Sequence, residues 1–251
     1  MGKVKDIIVK VIPSKVAIPF VRKHHYSGKV VNNSNLHFGC FLDGGLHGVM
    51  SFGPSMDKSK MLNLVETDNL TEKEKWSEFL ELNRMAFDDY LPANSESRCL
   101  SIAFRLIKKN APHIKYIISF SDATASGDGT IYRASGFQLT QIKENKSILK
   151  FQDGERVATL SITNDFSTKL RLCKQYGLEV WSGASVTPFI KSGVAEWAEG
   201  FQLRYIRLLT KDCKLLCPVI PFSDIDTAGA GMYRGQKITR AERHKIKKTK
   251  E

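Results

Sequence analysis

Two apolar, strand-like runs, residues 36–42 and 46–52, are separated only by Asp43-Gly44-Gly45, and this arrangement leaves few folds open. A glycine-rich turn between such runs predicts a tight antiparallel hairpin. Around it, strand and helix signals alternate. Residues 6–12 alternate and are β-branched, which suits a first strand, and Pro13 and Ser14 then start a helix carrying Val16, Ile18, Phe20 and Val21 up to His24. A short helix over 73–80 and an apolar strand over 79–87 follow, and Pro92 ends that segment. Asn94-Ser95-Glu96-Ser97 opens an amphipathic helix over 98–109. Residues 116–120 read as a buried strand, and Gly127-Asp128-Gly129 leads into a helix over 130–135 that stops at Gly136. Another strand is expected over 137–142. Beyond residue 150 the pattern is weaker: a helix over 168–176, strands over 177–181, 202–210 and 215–220, and no assignment for 195–200. This order predicts an α/β (α+β) fold with a mixed central sheet flanked by helices.

A chain of 251 residues with 42% hydrophobic side chains can bury a full core, so one catalytic domain is expected over 1–232 with a basic, flexible tail over 233–251. The net charge of +12 points to a polyanionic partner. The tail holds eight basic residues against two acidic ones. Arg234, Lys237, Arg240, Arg243, Lys245, Lys247 and Lys248 are its candidate phosphate contacts, and a merely solvated terminus is the alternative. No apolar run is long enough to span a bilayer and the N-terminus has no signal-peptide core, so a cytoplasmic protein without a membrane partner is expected. Five scattered cysteines suit reduced thiols. Cys213 and Cys217 lack a second pair or nearby histidines, and no compact cluster suggests a metal.

Three segments stand out: Lys23-His24-His25-Tyr26-Ser27-Gly28; Glu81-Leu82-Asn83-Arg84 continuing through Leu91-Pro92-Ala93-Asn94-Ser95-Glu96-Ser97-Arg98; and Ser119-Phe120-Ser121-Asp122-Ala123 through Gly129-Thr130-Ile131-Tyr132. In this combination and order they resemble the Mom family of phage adenine-modification proteins. Together they span about half the chain, residues 20–137. The resemblance implies a GCN5-related N-acetyltransferase-like fold, with a sheet split where two central parallel strands splay apart. It also implies transfer of a carbamoylmethyl (acetamido) group to adenine N6 in DNA, which hides restriction sites in the host cytoplasm.

On that reading His25, beside Tyr26, takes a proton from the attacking amine; a capping or surface histidine is the plainer alternative. Asp122 at a strand end and Tyr132 ten residues later form an orienting carboxylate and a proton donor, or else a turn cap and a packed ring. Asn94, Ser95, Ser97 and Arg98 stand where acetyltransferases cradle a pyrophosphate. Glycines are missing there and Glu96 adds negative charge, so a plain helix cap is the alternative. Asn83, Arg84 and Ser121 are candidate substrate contacts.

Three functions fit. The first is a DNA-adenine N6-modifying transferase working on double-stranded DNA. The second is an N-acetyltransferase for a protein, amine or aminoacyl-tRNA. The third is a non-catalytic DNA-binding accessory protein. For the first, the product N6-CH2-CO-NH2 contains a nitrogen that acetyl-CoA lacks, whereas a glycyl group holds the right atoms. Glycyl-tRNA is therefore the favoured donor, with tRNA as a further partner, and acetyl-CoA is the alternative.

Overall fold

The computed structural model describes residues 4–55, 57–67, 71–122, 127–233 and 236–243. Strand β1 (Ile8–Val11) leads into helix α1 (Ser14–His24), and β2 (Leu36–Leu42) and β3 (Gly45–Gly53) form the expected hairpin. Short elements α2 (Lys58–Met61), β4 (Val65–Glu66) and α3 (Glu72–Ser77) precede the long strand β5 (Phe79–Phe87). Next come α4 (Ser95–Asn110), β6 (Tyr116–Asp122), α5 (Thr130–Ala134) and β7 (Gln138–Glu144). After them lie β8 (Ile148–Phe151), β9 (Arg156–Ala158), α6 (Thr159–Asn164), α7 (Phe166–Gln175), α8 (Thr187–Lys191) and β10 (Ala195–Trp197). The described chain closes with β11 (Phe201–Leu208), β12 (Lys214–Leu215), α9 (Asp224–Thr227), β13 (Met232–Tyr233) and β14 (Gln236–Lys237).

Seven strands form one mixed sheet in the order β1-β2-β3-β5-β6-β11-β7. Neighbouring residues of β3 enter two separate cores, as the two-residue period of a strand requires, whereas in β5 a register shift divides Leu82 from Ala86. Val49 and Ala86 pack with Ala17 and Val21 of α1, whereas Met50 and Leu82 pack with Leu100 and Ala103 of α4. The two helices therefore cover opposite faces. Only β5 and β6 run parallel, and their ladder is short: Phe79↔Tyr116, Leu80↔Ile117 and Glu81↔Ile118. Beyond Glu81 the strands diverge, β5 staying with β3 and β6 with β11. The buried Ser119 hydroxyl reaches across the opening and donates to the Leu82 carbonyl at 3.3 Å, satisfying a backbone acceptor that the ladder no longer serves.

Residues between β7 and β11 build an appended module. Its three-stranded sheet, β10-β8-β9, encloses its own core of Leu149, Phe151, Ile162, Leu172, Cys173 and Phe189. Residues 177–181 form no strand here, contrary to the sequence expectation. Gly177, at φ 66°, ends α7 in the left-handed conformation, and the Leu178 N–H turns back to the Cys173 carbonyl. The carbonyls of Trp181 and Gly183 then accept from the buried Lys169 ammonium, which also sits 4.4 Å from the Trp181 ring centroid. The strand expected over 215–220 is likewise confined to β12, because Pro218 and Pro221 lack the N–H a ladder needs.

The boundary expected between residues 232 and 233 falls inside β13, which pairs with β14. Arg243 is buried against the main domain, so residues 236–243 pack as part of it. Among the described residues, no helix is long and apolar enough to cross a membrane.

Candidate functional site

The divergence of β5 from β6 opens a wedge through the sheet, and side chains from both faces meet there. Asn83 causes part of this. Ser51 pairs with Arg84 but Phe52 pairs with Leu82, so Asn83 is an extra residue in β5 and the strand bulges at it. A bulge breaks the in-out alternation and re-aims the neighbouring side chains. Leu82 and Asn83 are accordingly both buried in succession. The Asn83 amide donates to the Ser34 hydroxyl at 3.0 Å, and Arg84 donates to the carbonyls of Lys29 and Asn83 at 3.0 and 2.6 Å. The guanidinium is thus held against the loop that follows α1.

His25 caps α1, where the backbone turns extended and its N–H returns to the Val21 carbonyl. Burial, and secondarily the positive charge of Arg84, lowers its pKa to about 4, so the ring is neutral near pH 7. The Ser27 N–H donates to His25 Nδ1 at 3.2 Å, and the Ser27 hydroxyl lies 2.8 Å from the same nitrogen. A nitrogen that accepts a backbone N–H carries no proton of its own, so the neutral ring holds its proton on Nε2. With Nδ1 taken by Ser27, Nε2 is the ring nitrogen left to face other groups. Tyr26 packs against the His25 ring with centroids 4.4 Å apart and planes tilted by 32°, and is largely exposed.

Tyr132 approaches from the α4 side. It is half-buried, packs on Phe137 and Tyr205, and hydrogen-bonds Ser119. Burial raises its pKa, with Ser119 acting in the opposite sense, so the phenol remains protonated at neutral pH. Gly129 sets the position of α5. Its φ of +78° and the Tyr205 ring, 2.6 Å from where a Cβ would stand, leave room only for glycine. The Tyr205 hydroxyl also donates to the Asp128 carbonyl at 2.5 Å.

Glu81 is a member of this cluster that sequence reasoning missed. It is the last β5 residue paired with β6. Burial raises the pKa of its carboxyl, while a hydrogen bond from Ser55 and the charge of Arg84 partly offset the shift. Glu81 and Arg84 both act electrostatically on Tyr132, and Arg84 also acts on His25. His25, Glu81, Arg84 and Tyr132 therefore form one coupled group. A glutamate inside the apolar run Phe79-Leu80-Glu81-Leu82 was the available signal.

Asp128 was also missed. It is 1% exposed and gripped by two arginines. Arg243 Nη2 and Nη1 lie 2.6 and 3.2 Å from its two oxygens, and Arg133 Nη2 lies 2.9 Å away. Arg243 also donates to Thr130 Oγ1 and to the Met232 carbonyl. This guanidinium, expected on phosphates, is committed to the loop that carries α5.

Of the remaining sequence candidates, Asp122 lies at the end of β6 beyond the point where that strand leaves β5, and the others fall elsewhere. Asp122 ends β6, half-buried and opposite Gln202, and the Ser121 hydroxyl donates to the Gly127 carbonyl at 2.5 Å. Asn94 precedes α4 in a left-handed conformation. The Ser95 and Ser97 hydroxyls turn back to the carbonyls of Pro92 and Asn94, and Arg98 donates to the Lys5 carbonyl. The two serine hydroxyls are thus spent on backbone, whereas Arg98 Nε is buried without a hydrogen-bond partner. Lys237 pairs with Glu199, and Arg240 is exposed. Arg234, Lys245, Lys247 and Lys248 lie outside the described residues. Among the described residues, no group of three or more His, Cys, Asp or Glu is placed to hold a metal ion.

A model of the Mom protein family matches residues 6–224. The chain is 35% identical over 152 residues to the methylcarbamoylase mom of Escherichia phage Mu, a match covering 60% of this chain and 59% of that relative. Solved structures similar to it include an IAA acetyltransferase from Bacillus cereus, at 11% identity and TM-score 0.41 over 80% of this chain and 99% of that one. A spermidine/spermine N-acetyltransferase from Vibrio cholerae is similar at 7% identity and TM-score 0.43, over 84% of this chain and 96% of that one. The match to residues 6–224 takes in the wedge and every residue around it, and the chain belongs to the Mom protein family.

Proposed function

We propose that this protein is a transferase that places a carbamoylmethyl group on adenine N6 in double-stranded DNA. The observation that carries the reading is the coupled group at the wedge: a half-buried carboxyl, a protonated phenol and a guanidinium around one opening in the sheet. The phage Mu relative's name, a methylcarbamoylase, fits a group-transfer enzyme, the family resemblance supplies the carbamoylmethyl group and its acceptor, and the charge of +12 suits the polyanion that carries it.

The exocyclic amine of adenine is a weak nucleophile because its lone pair is delocalised into the ring. Glu81, with its raised pKa, is suited to accept the N6 proton as the new bond forms. Arg84 stabilises charge that develops on the attacked carbonyl oxygen. Tyr132 donates its phenolic proton to the leaving oxygen, and Ser119 holds the ring in place. His25, protonated on Nε2, contributes a hydrogen bond, while Asp122 orients groups at the mouth of the opening.

The donor that fits the atoms is a glycyl ester of tRNA. Attack of N6 on the ester carbonyl expels the ribose oxygen, which leaves with the proton from Tyr132, and yields N6-CO-CH2-NH2. That amide is an isomer of N6-CH2-CO-NH2, so conversion to the final product adds and removes no atoms. Acetyl-CoA is the alternative donor and requires a separate nitrogen source.

Restriction digestion tests the substrate. DNA from cells expressing the protein is expected to resist endonucleases whose recognition sites contain adenine and to remain sensitive to those whose sites lack it. Equal sensitivity to both classes would count against the reading.

A further inference from the structure

Beside Arg84, on the α1 face, lies a cleft of about 390 Å³ that none of the roles above uses. One wall is aliphatic, formed by Ile18 and Val21 of α1 with Val30 and Val31 of the following loop. The opposite side is polar but uncharged. His37 is buried there with both ring nitrogens tied to hydroxyls, Nε2 at 3.1 Å from Ser14 Oγ and Nδ1 at 2.8 Å from Ser51 Oγ. Burial also lowers the pKa of His37, so the ring carries no charge at neutral pH. Arg84 is the one charged residue that lines the cleft. Asn32, an exposed residue of the same loop, places a carboxamide on the lining.

We infer that this cleft receives the target adenine after it has left the DNA stack, with the Asn32 carboxamide reading its Hoogsteen edge. The inference rests on the DNA-adenine reading and names the part of the site that selects the base. A flat, uncharged heterocycle needs apolar surface for its faces and a few fixed donors and acceptors for its edge, and the lining supplies both. A phosphate would need several cations where this cleft has only Arg84. Asparagine matches adenine because its N–H donates to N7 while its carbonyl oxygen accepts one N6 hydrogen. The second N6 hydrogen stays free for transfer. Arg84 connects the cleft to the catalytic cluster, since it lines the one and acts electrostatically on Tyr132 and His25 in the other.

The test uses the full-length protein and a duplex carrying the fluorescent adenine isomer 2-aminopurine at one position. Its emission rises when the base leaves the stack, and anisotropy of an end label reports binding separately. The wild-type protein should bind and raise the emission. Val31→Trp, which fills the aliphatic side, should bind with unchanged anisotropy and lose the rise. Asn32→Ala alters only an exposed side chain, so folding is spared; it should reduce adenine modification in cells on the order of tenfold, the scale of one bidentate base contact. A full emission rise with Val31→Trp, or wild-type modification by Asn32→Ala, would overturn the assignment. No modified adenine with the wild-type protein would instead refute the underlying DNA-adenine reading, whereas modification undiminished in both variants would refute the cleft alone.

Discussion

Replacing Arg243 by methionine tests whether residues 236–243 belong to the catalytic domain. The side chains of Arg243 and Asp128 are 10% and 2% exposed, and the guanidinium meets both carboxylate oxygens. Stripping a buried charge of all its partners costs about 3–5 kcal/mol. Asp128 keeps Arg133 at 2.9 Å and Thr130 at 3.1 Å, so the loss should be smaller, about 2–3 kcal/mol. For a chain of this size that corresponds to a fall in Tm of about 4–12 °C. Urea unfolding of the wild type, Arg243→Met, Asp128→Asn and the double variant would isolate the coupling between the two residues. Hydrogen exchange should show faster opening of residues 127–135, the segment carrying Tyr132. The salt dependence of DNA binding should stay unchanged, because this arginine neutralises Asp128 and no phosphate. Stability within about 0.5 kcal/mol of the wild type, together with a flatter salt slope, would refute this account and return Arg243 to the DNA surface.

Glu81→Gln should abolish modification and yet leave the protein at least as stable at pH 7. Because the folded-state pKa of Glu81 is raised, the native state binds more protons than the unfolded state between the usual carboxylate range and that higher value. The contribution of Glu81 to stability is present below the unfolded pKa and declines as pH rises through the folded one; urea midpoints against pH should show this decline in the wild type and lose it in the glutamine variant. For the donor, cells fed labelled glycine should carry label in the modified adenine, and label arriving from acetate but not from glycine would eliminate glycyl-tRNA.

The hairpin, α1 and α4 were legible because each obeys a periodicity bounded by a strong turn or cap, and β5 and β6 because each is a mostly apolar run. Residues 177–181 and 215–220 were not. Their β-branched and apolar composition suits a strand, but Gly177 is needed to stop α7, and Pro218 and Pro221 deny a ladder its donors. In the site, His25, Arg84 and Tyr132 stood out through their motif segments, and Arg84 acts electrostatically on both of the others. Glu81 reads in a strand as an ordinary outward residue until the short parallel ladder shows that β5 parts from β6 beside it. The bulge at Asn83 leaves no mark on local composition, since it depends on register with β3. Asp128 between two glycines reads as a turn residue, and one of its arginine partners lies 115 positions away.

The most direct measurement of the central claim is mass analysis of nucleosides from DNA of cells expressing the wild-type protein, Tyr132→Phe or Asp122→Asn. The wild type should yield a deoxyadenosine in which CH2-CO-NH2 replaces one N6 hydrogen. Tyr132→Phe keeps the ring but removes the proton donor, and Asp122→Asn keeps the shape but removes the charge, so both should lose the product while remaining folded by circular dichroism. Unmodified deoxyadenosine with the wild type, or undiminished product with Tyr132→Phe, would contradict the account.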